Sequence, residues 1–246
     1  MKKLTLAATL ALAAAPAVQA DTLLGLYAGI GSWQSDYSGN VGNPSIDLQD
    51  LGFKEQDNTY FYIALEHPIP LIPNIRLDKV DISSSQAATI SKTFEIDGTT
   101  FIANDKVSSD FDLSHVDATL YYEILDNWVN LDLGLTARKF DGYVYASSAL
   151  SGNKKVAIDQ TLPLLYVKAQ FDLPFTGLSA GGDAKYVSFD GDKISDYSLK
   201  LSYMFDSALD IGVEAGYRKL SLTVDDSDLQ AKVDLDGPYA AFIAHF

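Results

Sequence analysis

The sequence predicts an all-β chain closed as an antiparallel, up-and-down transmembrane β-barrel of about ten strands, with eight or twelve as the nearest alternative counts. Three observations predict it. Apolar residues alternate with polar residues or glycine in ten separate segments, the period of a strand with two unlike faces. The connections are short at one end and long at the other, the asymmetry of barrels with tight periplasmic turns and longer external loops. The last alternating segment ends on an aromatic residue, Phe246.

The first twenty residues, MKKLTLAATLALAAAPAVQA, carry Lys2 and Lys3, an apolar run from Leu4 to Ala15, and small residues before a cleavage point. Val18 and Ala20 occupy the positions that signal peptidase inspects, so residues 1–20 are expected to be a cleaved signal peptide and residues 21–246 the barrel. The alternative is a membrane anchor, but the run falls short of the ~20 residues a spanning helix needs. The chain has no cysteine, which excludes a lipoprotein anchor, disulfides, a zinc thiolate site and a thiol nucleophile. Loss of the two leader lysines takes the formal charge from −15 to −17, which disfavours nucleic acid as a partner. Fourteen tyrosines, twelve phenylalanines and seventeen glycines suit β structure better than helix.

In order, the first segment (23–33) sets Leu24, Leu26, Ala28 and Ile30 against Gly25, Tyr27, Gly29 and Gly31. In the second (58–66), Phe61, Ile63 and Leu65 oppose Tyr60, Tyr62 and Glu66. The third (74–83) is less regular, because Lys79 shares a face with Ile75 and Leu77. A lipid-facing charge costs up to ~2–4 kcal/mol at mid-depth, so a bulge near Asp78 or a snorkelling lysine is expected there. The fourth ends at 115–124 and the fifth spans 128–140, with Val129, Leu131, Leu133, Leu135 and Ala137 on one face. The remaining five fall near 156–172, 178–189, 195–205, 209–224 and 230–246. Connections 67–73, 125–127, 173–177 and 206–208 are tight, whereas 34–57 and 84–110 are long, and shorter polar turns at 147–154, 190–193 and 225–228 share the long-loop end.

A soluble sandwich or lipocalin-like barrel would alternate too. What favours lipid is a level of aromatics at the tight-turn end: Tyr122, Trp128, Phe171, Phe175, Phe205 and Phe246. A headgroup interface selects such a band. Ala240, Phe242, Ala244 and Phe246 recur at every second position of the closing strand and resemble the carboxy-terminal assembly signal of Gram-negative outer-membrane barrels. That resemblance implies the barrel assembly machinery as a partner during biogenesis. GLYAGIGSWQ (25–34), FYIALEHPIPLIPNIRL (61–77) and the closing strand resemble an uncharacterised group of small outer-membrane barrels from gammaproteobacteria. The group implies location and fold and brings no activity with it.

With the apolar faces to lipid, the lumen receives the acids Glu66, Asp78, Asp117, Glu123, Asp132, Asp183 and Glu214 and the bases Arg76, Arg138, Lys168, Lys185, Lys200 and Arg218. Ten strands enclose little more space than the eight that side chains fill, so these charges are expected to pair and occlude the lumen. The resulting reading is a monomeric porin-like envelope protein, structural or surface-interacting, in contact with membrane lipid and lipopolysaccharide. The alternative is a narrow channel for small solutes. A second alternative is a lipid-modifying enzyme or protease, for which His115 is the candidate near the outer half. Ser114 adjoins it but points to the opposite face, and Asp110 and Asp112 complete only a weak acid–histidine pattern, so no catalytic role is expected. The loop acids Asp36, Asp47, Asp50, Glu55, Asp57, Asp190, Asp192, Asp196, Asp225, Asp226 and Asp228 are expected to form a solvated face, with Ca²⁺ or Mg²⁺ bridging to lipopolysaccharide phosphates as the functional alternative. No cofactor or resident metal is expected; DGDKISD (190–196) lacks the full EF-hand pattern.

Overall fold

The computed structural model describes residues 24–205, 210–225 and 229–246. The expected leader lies outside these residues, as do Asp226, Asp228 and the turn at 206–208. Ten strands close a ring: β1 (Gly25–Val41), β3 (Gln56–Glu66), β4 (Asn74–Asp81), β9 (His115–Leu125), β10 (Val129–Ser148), β11 (Gly152–Asp172), β12 (Leu178–Phe189), β13 (Asp192–Phe205), β14 (Asp210–Asp225) and β15 (Gln230–His245). Each is antiparallel to its neighbours, and β15 against β1 closes the barrel. Of five shorter strands, β2 (Ile46–Asp47) pairs with β1, β5 (Ser83–Thr89) and β8 (Lys106–Asp112) extend the wall beside β10, and β6 (Phe94–Ile96) and β7 (Thr99–Phe101) pair with each other apart from it.

All ten staves present apolar side chains outward, with Leu135 61% and Phe242 72% exposed. This is the surface of a barrel that sits in lipid. At the tight-turn rim the exposed aromatics include Tyr122, Trp128, Phe171, Phe175, Phe205 and Phe246, and Trp128 meets Phe171 edge to face at 5.2 Å. Tyr186, Tyr197 and Tyr217 are exposed nearer the other end. From Leu178 to Tyr186 the strand rises about 26 Å, or about 20 Å along the axis at ordinary tilt, close to the usual apolar band.

The long-loop end differs from expectation. The chain remains in strand through much of both expected loops: β1 runs to Val41, and β5 and β8 continue β4 and β9. Register is kept across that join, with Val80 opposite His115 and Ser83 opposite Asp112. The Ile82 N–H donates to Ser114 Oγ at 3.0 Å, and the Leu113 N–H donates to the Ile82 carbonyl at 2.8 Å. With 20 and 21 residues, β10 and β11 are about twice the length that crosses hydrocarbon.

Polarity reverses along these long staves. On β10 the outward side chains pass from Leu133 and Leu135 to Lys139, which pairs with Asp159 of β11. The inward ones pass from Asp132 and Arg138 to Phe140, Val144 and Ala146, all part of or packed on the apolar core. Water outside the membrane and a packed interior exchange the two faces. Tyr37, Val41, Ile46, Leu48, Leu51 and Phe53, from β1 and the segment after it, fill this outer half together with Ile90, Phe94 and Phe101. The Phe94 and Phe101 rings stack at 4.9 Å.

Inside the membrane portion, glycines sit directly across from inward tyrosines: Gly29 with Tyr62, Gly31 with Tyr60, Gly134 with Tyr121, and Gly216 with Tyr239. A Cβ on Gly31 would lie 2.6 Å from the Tyr60 ring, so the missing side chain is what lets the ring lie across the adjacent stave. Gly29→Val, which drives a side chain into the Tyr62 ring, is therefore expected to cost about 1–3 kcal/mol in urea unfolding. Ala28→Val on the lipid side of the same stave should change little.

The third-strand expectation resolves in favour of the lysine. Register between β3 and β4 is continuous from Leu65–Ile75 to Thr59–Asp81, so no bulge forms near Asp78. Lys79 instead reaches along its own face to Asp81, 3.1 Å away, toward the outer interface where its ammonium can be hydrated.

Candidate functional site: a charged layer across the lumen

Seven charged side chains, alternating in sign, form a chain across the lumen. Arg76 Nη2 lies 2.7 Å from Asp78 Oδ1 on β4. Lys185 on β12 reaches both Asp78, at 3.0 Å, and Asp117 on β9, at 2.7 Å. Arg138 on β10 donates through Nε and Nη2 to the two oxygens of Asp117, both at 2.8 Å, and through Nη2 to Asp196 on β13 at 2.7 Å. Arg218 on β14 grips Asp196 with two hydrogen bonds of 2.9 and 2.8 Å. Its guanidinium stands 4.8 Å from the Trp33 ring, whose Nε1–H donates to the Gly237 carbonyl at 3.2 Å. The ion pairs alone tie six staves together, and Arg138 and Asp117 are 0% exposed.

Toward the tight-turn end lies a chamber of about 1,110 Å³. Arg76 is among its lining residues, and Pro68, Asn127 and Phe246 line it at the rim. Lys168 pairs with Asp132 and Lys200 with Glu214 along its walls, each at 3.0 Å. Glu66 accepts from the Tyr121 hydroxyl at 2.7 Å, and Glu123 from Asn74 Nδ2 at 2.9 Å. Tyr27 stacks on His245 with centroids 4.1 Å apart. Toward the other end, above the charged layer, the apolar core occupies the lumen.

The interior acids and bases read from the sequence do face inward, but they divide. Arg76, Asp78, Asp117, Arg138, Lys185 and Arg218 make the layer, while Glu66, Glu123, Lys168, Lys200 and Glu214 line the chamber. Asp132 joins the wall through Lys168, and Asp183 accepts from Ser198 Oγ at 2.8 Å. One expectation is corrected. Asp196, read as a loop acid, is 5% exposed and holds two arginines in the layer. The signal was present, since Asp196 continues the inward parity of Ser198 and Lys200. The expectation of long polar outer loops is corrected too, because their apolar side chains fill the barrel.

His115 is buried, with Nδ1 2.9 Å from the Leu113 carbonyl oxygen and its ring against Phe140. Ser114 is engaged on the other face with Ile82. The geometry supplies no serine–histidine pair there. Asp112 accepts from the Ser114 N–H at 2.8 Å, and Asp110 is bonded to Ser85. At the outer end Lys92 lies 3.4 Å from Asp47 and 4.0 Å from Asp50, and Asp192 accepts from the Asp225 N–H at 2.9 Å. Among the described residues, no three histidine or acidic side chains are placed to hold one metal ion.

Ala240 and Phe242 point outward from β15, and Phe246 exchanges two backbone hydrogen bonds with Leu26, at 2.9 and 3.1 Å. Ala244 pairs with Ala28 at the same seam.

Among solved structures, the chain is similar to the outer-membrane protease OmpT of Escherichia coli, with 11% identity, a TM-score of 0.45 and coverage of 91% of this chain and 95% of that one. It is also similar to Ail, the attachment invasion locus protein of Yersinia pestis, with 14% identity, a TM-score of 0.40 and coverage of 92% and 100%. The transport unit of the E. coli autotransporter AIDA-I is similar at 9% identity and a TM-score of 0.41, over 96% and 94% of the two chains. No protein-family model and no curated protein sequence matches the chain.

Proposed function

We propose that the protein is an outer-membrane barrel of a Gram-negative bacterium that acts as a sealed, monomeric envelope element, structural or surface-interacting, and not as a conduit or an enzyme. The observation that carries this reading is the filling of the lumen by two successive layers of side chains. A charged layer crosses it at mid-depth, and a packed apolar core stands between that layer and the outside. A passing solute would have to part several buried ion pairs and displace close-packed side chains, each of which is costly. The tight turns, the interfacial aromatics and the resemblance of the first strands to small gammaproteobacterial barrels support the outer membrane as its setting, with the chamber facing the periplasm. Lipid and lipopolysaccharide meet the apolar band, and the barrel assembly machinery recognises the closing strand during biogenesis.

Planar-bilayer recording tests the seal. The purified protein is expected to give no stepwise openings at neutral pH and moderate voltage. Reproducible ohmic steps would establish the narrow-channel alternative instead.

A further inference from the structure

Above the membrane the barrel wall is uneven. Pairing between β11 and β12 stops at Leu165 and Tyr186, whereas pairing between β11 and β10 continues to Gly152 and Ser148. From Asn153 to Thr161 the far edge of β11 therefore has no partner strand among the described residues. Every second residue there turns its N–H and C=O away from β10, a template about 30 Å long for one more strand. Pro163 stands at the foot of this edge, a residue that sheets accept at unpaired edges. The outward side chains Asn153, Lys155, Ala157, Asp159 and Thr161 are all exposed.

The charges on this edge are unevenly served. Asp159 stands directly across from Asp141 of β10, a like-charged pair that disfavours the sheet, with Lys139 as its cation. Lys155 lies over the Tyr143 ring at 3.9 Å and pairs with no acid among the described residues. A second β11, antiparallel and centred on Ala157, meets both needs. In that register Lys155 of each copy faces Asp159 of the other, Ala157 faces itself and Asn153 faces Thr161, while on the inner face Val156 meets Ile158 and Lys154 meets Gln160. A shift of two residues either way sets Lys155 opposite Ala157 or Thr161 and loses both ion pairs. We propose that the free edge of β11 is a self-recognition site that joins two copies of this chain edge to edge, with Lys155 and Asp159 fixing the register. The two-fold axis of such a pair runs perpendicular to the sheet, so the second copy is inverted and sits in a facing membrane. The protein stays a monomer in its own membrane. The inference rests on the surface-interacting part of the reading above and names its partner, a second copy on a neighbouring cell. Ala157 stands about 20 Å beyond Leu165 along the axis at ordinary tilt, which sets paired membranes about 40 Å apart.

The test uses the full mature protein, one barrel per lipid nanodisc, with sedimentation velocity counting the discs that join. Both rims are free in a nanodisc, so the result does not depend on which rim faces outward in the cell, and a failure counts against the pairing and not against the filled barrel. Wild-type discs are expected to pair at about 100 µM protein. Lys155→Asp and Asp159→Lys should each weaken pairing about ten-fold, because each sets like charges opposite one another twice. An equimolar mixture of the two should recover it, since the mixed pair regains both ion pairs, and recovery also shows that both variants fold. The chain has no cysteine, so introduced thiols report the register: Ala157→Cys should form a disulfide-linked dimer by itself, and Asn153→Cys and Thr161→Cys only when mixed. Wild-type discs that stay single, charge variants that pair as well alone as the wild type, or Asn153→Cys discs that cross-link alone as readily as Ala157→Cys would overturn the proposal.

Discussion

Arg138→Ala is expected to lower the unfolding free energy of the lipid-embedded barrel by about 3–5 kcal/mol, the scale of breaking a buried ion pair from one side. Arg138 donates to both oxygens of Asp117 and to Asp196 while wholly buried. Its removal leaves those buried carboxylates with Lys185 and Arg218 as their remaining cationic partners. The comparison is internal to one strand. Lys139, the next residue on β10, pairs with Asp159 on the exposed face, and Lys139→Ala should cost no more than about 1 kcal/mol. Urea unfolding in vesicles, followed by tryptophan fluorescence, measures both. Equal effects would mean that the buried layer bears no special share of stability. Arg138→Ala should also remain electrically silent, because the apolar core above it is untouched.

Deletion of Phe246 is expected to reduce the amount of folded protein in the outer membrane several-fold while export to the periplasm continues. Phe246 supplies the last backbone rung between the closing strand and β1, through paired hydrogen bonds with Leu26, and an exposed ring at the tight-turn rim. Losing it removes both a seam contact and an aromatic that sets depth. Heat-modifiable mobility of the protein in fractionated membranes reports the outcome. Normal levels of folded barrel would reduce the closing Phe to an ordinary strand end.

The membrane half of the fold was legible because each stave there keeps one face in lipid for its whole crossing. Leu131, Leu133 and Leu135 against Asp132 and Gly134 can be read in only one way. The outer half was hidden because the same two-residue period continues with its polarity exchanged. From Phe140 onward the apolar side chains of β10 belong to the inward parity, so a reader following one apolar face sees the strand stop and a loop begin. Counting parity past the break would have carried Asp196 into the lumen and Val41 into the core. The charged layer was partly legible for the same reason, since parity selects which side chains face inward. What parity does not give is height. Arg138 and Lys168 read alike, yet one lies in the charged layer and the other on the chamber wall. Depth follows from stagger between staves, which depends on register across the whole ring.

The absence of cysteine from the chain allows the central claim, a lumen open on one side only, to be measured by single introduced thiols. Ser179 lines the chamber, and Leu150 stands exposed in the turn between β10 and β11. The probe is a maleimide too large for general porins, applied to intact cells and to cells with permeabilised outer membranes. Leu150→Cys should react in both, and Ser179→Cys only after permeabilisation. Reaction of Ser179→Cys in intact cells at a rate comparable to Leu150→Cys would contradict a sealed barrel whose chamber faces the periplasm.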